Sequence, residues 1–275
     1  MRIFTFILIL CIGICSKDVF AKKAEFNNKL NKQKVITDKS IIKSGNLKGV
    51  VNFRSSKARL EKIDIPESYL RECGKVKWLV PYNVIKSSTL KDVVIGIEGI
   101  VKPVKKAQVK EALTITLQDC AFTKSSSHMT LGQMLIVENK SDLFLDLFLG
   151  YEGYENSTDY RYKARNYFIP KKDQKIATIV RGLAALKIKG RGDLDFIETD
   201  IMVFDNPYHT VSDDEGKFEI KKIPIGKYKM IVWHNNLGSM SIDIEIKHNE
   251  LTEVELYYYR KGPLKKRTKI MLPED

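Results

Sequence analysis

From residue 45 onward the chain is a succession of short runs in which apolar and polar side chains alternate, separated by glycine, asparagine, aspartate and proline. GNLKGVVNFR at 45–54 and LKDVVIGIEG at 90–99 are β-branched runs bounded by turn formers. In ALTITLQDCAF, Leu113, Ile115 and Leu117 alternate with Thr114 and Thr116, the period of a strand that buries one face. QMLIVENKS and SDLFLDLFLG follow, joined by an Asn-Lys-Ser-Asp turn, and then KKDQKIATIV and LAALKIKG. After Asp200 the pattern is strongest, in DIMVFD, GKFEI, GKYKMIVWHNN, SMSIDIEIK and TEVELYYY. No segment carries a long helical stripe. The pattern predicts an all-β chain, folded as a sandwich or Greek-key barrel.

One stretch breaks the alternation. YEGYENSTDYRYKARNYF, residues 151–168, sets six aromatics among charges and reads as a loop too polar for a core strand. Tyr151, Tyr154, Tyr160 and Tyr162 make a candidate ligand surface, because tyrosine offers a large contact area at low entropic cost. The alternative is a clamp that holds the loop to its own domain.

The ends differ from the body. Arg2 precedes the apolar run IFTFILILCIGIC, and Val19-Phe20-Ala21 follows with small or aliphatic residues where a signal peptidase reads. The run falls short of the roughly 20 residues that span a bilayer. A cleaved signal peptide over 1–21 is expected, and a periplasmic or secreted protein that is not transmembrane after cleavage. The formal charge of +13 is concentrated at the ends: Lys22 to Lys48 holds eight lysines against Glu25 and Asp38, and Arg260 to Asp275 six basic residues against two acids. Residues 22–44 therefore read as a basic flexible linker and 260–275 as a basic tail around a nearly neutral body. No recognition motif accompanies the charge, so no nucleic-acid partner is expected. Attraction of the tails to an anionic surface, such as lipid headgroups or acidic envelope polymers, fits better.

Export leaves two cysteines, Cys73 and Cys120, where thiols oxidise. They allow one intramolecular pairing, and the alternative is two buried thiols. There is no HExxH, GxSxG or phosphate-cradling glycine loop, and Asp193 and Asp195 sit on a glycine-rich turn where solvated carboxylates are common. The chain reads as non-catalytic. Candidate metal ligands reduce to His128, His209 and His234. The acidic loop beside His209 fails as an EF-hand, since with Gly216 at the sixth position Val211 and Lys222 occupy the first and twelfth. Asp213, Asp214 and Glu215 read instead as a hairpin tip.

Asp213-Asp214-Glu215-Gly216-Lys217-Phe218, then Ile223-Pro224-Ile225-Gly226-Lys227-Tyr228, then the strand from Met230 to Trp233 resemble the carboxypeptidase regulatory-like, or prealbumin-like, β-sandwich module. Upstream, Glu72-Cys73-Gly74, LKDVVIGIEG, Cys120-Ala121-Phe122, Leu131-Gly132-Gln133 and Glu138-Asn139 resemble the plastocyanin-like (cupredoxin-like) domain that precedes this module in exported bacterial proteins. The resemblance implies a Cys73–Cys120 disulfide. It also implies copper, but the expected ligands are replaced: Thr123 to Ser127 follow the Cys-x-Phe triplet, with His128 displaced three places, Leu145-Asp146 stands in a second position, and Val180 to Ala185 in the third. A cupredoxin-like domain over 45–198 without cofactor is therefore expected, followed by the regulatory-like sandwich over 199–259. The strand at 45–54 belongs either to the first domain or, as the module's opening strand, to the C-terminal sheet. The function expected is a non-catalytic envelope binding or interaction protein with an envelope protein or glycan as partner. The alternative is a copper-binding periplasmic protein for electron transfer or metal storage.

Overall fold

The alternating runs become strands almost throughout. The computed structural model describes residues 43–54, 61–74, 76–79, 89–100, 111–154 and 156–259. The segments expected as a signal peptide and a basic tail, and nearly all of the one expected as a basic linker, lie outside the described residues. In chain order the strands are β1 (Ser44–Arg54), β2 (Glu61–Asp64), β3 (Val76–Leu79), β4 (Val94–Glu98), β5 (Leu113–Gln118), β6 (Ala121–Phe122), β7 (Ser126–Thr130), β8 (Met134–Asn139) and β9 (Leu145–Tyr151). The remainder are β10 (Arg165–Ile169), β11 (Lys175–Ile179), β12 (Ala185–Gly190), β13 (Glu198–Phe204), β14 (His209–Val211), β15 (Lys217–Pro224), β16 (Gly226–His234), β17 (Gly238–Ile246) and β18 (Leu251–Tyr259). Helix among the described residues amounts to α1 (Leu70–Cys73) and two 3-10 turns. The fold class is all-β.

Two pairs of sheets each enclose a core. The first pair is the order β15-β1-β18 together with β14-β4-β16-β17. Between them lie Leu47, Val51, Phe53, Ile95, Ile97, Ile220, Met230, Val232, Ile244, Leu256 and Tyr258, with Tyr258 fully buried. The second pair is β10-β9-β12-β13-β7 together with β11-β8-β5-β6, around Ile115, Leu117, Met129, Leu135, Val137, Leu145, Leu147, Ile188 and Ile201. In most strands buried and exposed positions alternate, as in β17 and the first half of β15, because one face meets the core and the other water.

Strand β1 settles which sheet the opening strand joins. It pairs antiparallel with β15, Leu47 opposite Ile220, and parallel with β18 from Asn46–Leu251 to Arg54–Tyr259. The nine-stranded sandwich, β5 to β13, is thus an insertion into the other one, which contributes β1 and β4 before it and β14 to β18 after it. Two sequence-based boundaries are corrected accordingly. LKDVVIGIEG, read as part of the cupredoxin-like region, supplies β4, which pairs with β16 (Ile95 opposite Val232) and β14. Conversely, β13 was expected to open the C-terminal module from residue 199, yet it pairs antiparallel with β12 and parallel with β7 inside the nine-stranded sandwich. The physical reason is common to both: alternation shows that a strand has a buried face, not which sheet supplies its hydrogen-bonding neighbours.

Cys73, at the end of α1, is bonded to Cys120, with the Cα atoms 5.6 Å apart. The bridge fastens the segment carrying the β2–β3 hairpin to the nine-stranded sandwich. By the loop-entropy argument, a crosslink spanning 47 residues stabilises by about 4 kcal/mol. The acidic loop is a hairpin tip, as its sequence suggests. The Asp213 carboxylate accepts hydrogen bonds from the backbone N–H of Glu215 and Lys217 at 2.9 and 2.8 Å, and Gly216 takes φ +73°.

Candidate functional site

Two places gather the chemistry-bearing side chains. The first lies where the sandwiches meet. His128 sits in the middle of β7 and His209 opens β14, so neighbouring strands of the two sandwiches bring together residues 81 positions apart. Their Nδ1 atoms are 2.6 Å apart, and His209 Nε2 lies 2.9 Å from the Thr130 hydroxyl. One ring must donate and the other accept, so the contact requires that the pair not be doubly protonated. Phe204 stacks on His209 with ring centroids 4.9 Å apart at 16°. Burial is the main cause that lowers the His128 pKa to about 4, with Lys124 adding to it. His209 is lowered to about 3, by burial first and by His128 second.

His234, at the end of β16, belongs elsewhere. It is 1% exposed, accepts a hydrogen bond from the Asn236 N–H at Nδ1, 3.1 Å, and is lowered by burial to about 4. Among the described residues no three His, Cys, Asp or Glu side chains converge as a metal set. The donors do not fit a blue-copper centre. Such a site needs two imidazoles and a thiolate, but the two cysteines among the described residues are joined in the disulfide, and the two neighbouring imidazoles point their Nδ1 atoms at each other.

The second place is the tyrosine segment. It is part loop and part strand, because Tyr167 and Phe168 lie on β10, the edge of the five-stranded sheet. Tyr151, expected on the surface, instead ends β9 with 9% exposure; its hydroxyl accepts from the N–H groups of Arg181 and Gly182, both at 3.3 Å. A tyrosine with two such partners gains more from holding the β11–β12 connection than from facing solvent. Tyr162 packs edge-on to Tyr151 at 5.4 Å, and Tyr154 stacks flat on Tyr162 at 3.8 Å and 6°. Those three rings fasten the loop, so the clamp describes them. Tyr160 alone of the four stands well out, 67% exposed.

Beside Tyr160 a cleft opens between β10 and β11, the edge strands of the two sheets. Leu149 and Leu186 form its floor, and Arg161, Lys163, Arg165, Tyr167 and Arg181 its walls. The Tyr167 hydroxyl donates to Thr178 across the cleft at 2.9 Å. The four cations were not singled out in the sequence. The signal available for three of them was Arg161-Tyr162-Lys163-Ala164-Arg165, basic residues interleaved with the tyrosines; nothing local marks Arg181, which the β11–β12 turn brings in.

No protein-family model matches the chain, and no curated protein does. Among solved structures, part of the chain is similar to amicyanins. A reduced amicyanin with one tryptophan changed to tyrosine is 13% identical, with 40% of this chain and 98% of that one covered and a TM-score of 0.29. The amicyanin of Paracoccus versutus is 16% identical, covering 40% and 97%, also at 0.29. The cupredoxin-like part of the sequence resemblance implies a fold of this kind; at these scores the likeness carries no functional argument.

Proposed function

We propose that the protein is a non-catalytic, exported binding protein of the cell envelope, with the cleft between β10 and β11 as its glycan-binding surface. The observation that carries this reading is the contrast between the two sites. The histidines at the junction are half-buried and bonded to each other, whereas Tyr160 and four cations face outward around the cleft, carried by the β9–β10 loop, the start of β10 and the β11–β12 turn. Loops and edges held by a stiff scaffold are where binding residues concentrate. Export agrees with the Cys73–Cys120 bridge, a bond that persists in oxidising compartments. The seven-stranded sandwich reads as a carboxypeptidase regulatory-like module. Supporting this are the Ile223-Pro224-Ile225-Gly226-Lys227-Tyr228 turn between β15 and β16 and the bond from the Tyr228 hydroxyl to the Ile225 carbonyl, 3.2 Å.

A saccharide array probed with the mature chain tests the proposal. Retention of at least one saccharide class is expected, with the signal reduced severalfold by Tyr160→Ala, since loss of one stacking ring costs on the order of 1 kcal/mol. An array blank across neutral and charged sugars alike, from protein that melts cooperatively, would overturn it.

A further inference from the structure

The charge around the cleft identifies what kind of saccharide belongs there; this step rests on the reading just given. Of the cleft's lining residues, four carry positive charge and none is a carboxylate. Arg161 is neutralised by Asp159, which accepts from its Nε at 2.9 Å. Lys163, Arg165 and Arg181 make no ion pair among the described residues. Three uncompensated cations facing one cleft repel one another, and the arrangement is relieved when an anion enters. Several basic side chains elsewhere on the same sandwich do have acidic neighbours, as where Lys140 meets Glu138 and Asp173 and Arg191 meets Asp146. The cleft instead gathers three cations without such a neighbour into one place.

Size narrows the ligand further. The cleft encloses about 30 Å3. That is room for about two water molecules, enough for a carboxylate or phosphate group and too little for a sugar ring or a base. The ring must remain at the mouth, where Tyr160 offers an exposed face. Among the cleft's lining residues Tyr160 is the one exposed ring, which argues against a single-stranded nucleic acid, gripped by a succession of stacked bases along a groove. Tyr154, Tyr162 and Tyr151 are already packed against one another, and Tyr167 is tied to Thr178.

We infer that the cleft binds an anionic saccharide, the carboxylate or phosphate seated among Lys163, Arg165 and Arg181 and the sugar ring lying on Tyr160. Arginine suits this role because its planar fork presents paired donors to a carboxylate or phosphate.

Calorimetric titration of the mature protein with a galacturonic acid trimer, a glucose monophosphate, maltotriose and a short single-stranded oligonucleotide decides the matter. Binding of the uronate trimer, the sugar phosphate or both is expected, and which of them binds assigns the anion. Arg165→Ala and Arg181→Ala are each expected to weaken that binding about ten-fold, the loss of one charge-assisted contact. Both side chains are exposed, so unchanged melting curves will show that the fold is intact. Maltotriose binding as tightly as the anionic sugars, with no response to the arginine variants, would overturn the anionic assignment while leaving a glycan-binding protein. Anionic-sugar affinity unchanged in both variants would place the site elsewhere. Oligonucleotide binding tighter than either anionic sugar, and falling steeply with salt, would replace the inference with a nucleic-acid surface.

Discussion

Gly96→Ala is expected to destabilise the protein by roughly 3 kcal/mol or more, enough to shift thermal unfolding by many degrees. A Cβ at residue 96 would lie 2.1 Å from Cε1 of Phe204 and 2.3 Å from its Cζ, distances no side chain tolerates. The ring cannot easily retreat. Phe204 is 5% exposed and packs with Val94, Ala185 and Trp233 in the cluster that joins the two sandwiches, and its carbonyl accepts from the Leu131 N–H at 2.7 Å. Its other face lies on His209. Relief therefore requires either a shift of β4, which is paired on both edges, or expulsion of the ring at a cost like that of deleting a buried phenylalanine. Combining Gly96→Ala with Phe204→Ala tests the assignment, because the clash is absent in the double variant. Its loss should be well below the sum of the two single losses. Additive losses, or a Gly96→Ala protein as stable as the parent, would mean that the junction is not packed in this way.

Acid should loosen the fold as the pH falls from 6.5 toward 4. A histidine ordinarily titrates near 6.5, whereas His128 and His234 are held to about 4 and His209 to about 3 in the folded chain, chiefly by burial. With folded values depressed, the unfolded chain takes up protons that the folded chain refuses. The stabilising contribution is complete above pH 6.5 and is lost as the pH falls toward 4. At about 1.4 kcal/mol per pH unit, each ring accounts for between about 2 and 3 kcal/mol by pH 4.5. One group opposes them. Asp200, 3% exposed and raised to about 6 mainly by burial, despite Lys187 at 3.3 Å, holds its proton in the folded chain below about pH 6 and so favours the folded state from there down to its ordinary value of 3.8. Three rings against one carboxyl leave a net loss. Urea titrations at pH 7.5 and 4.5 should show a markedly lower midpoint in acid, and His234→Gln should flatten the dependence. Equal midpoints would show that the fold does not hold these rings neutral.

The broad architecture was legible because most strands bury one face, the Asp213–Gly216 tip because its turn chemistry leaves few options, and the cysteine pairing because just two of the four cysteines lie beyond the N-terminal apolar run. The strands that carry the histidines were not. β7, Ser-Ser-His-Met-Thr, is buried or half-buried at every position and so has no alternation to read, and β14 is a three-residue edge strand. β10 is an edge strand exposed along most of its length, which is why its tyrosine and arginine look like loop residues. The parallel pairings β1–β18, β5–β8 and β7–β13 join distant segments with no short turn between them to announce the partner. The histidine pair follows from one of these pairings, and so lay beyond any motif.

The pairing of β1 with β18 also gives the molecule a mechanical character. The first described strand and the last run side by side in the same direction over nine registered pairs, so the chain enters at one end of the sheet and leaves at the other, about 30 Å away. A pull between residues 44 and 259 loads that ladder lengthwise, and its hydrogen bonds resist together instead of opening one after another. Everything from β2 to β17 is enclosed between the two strands, so tension reaches neither the cleft nor the junction until the ladder ruptures. In single-molecule stretching the inserted sandwich should lengthen only after one high-force event; its release at lower force beforehand would mean that the terminal strands do not lock it in.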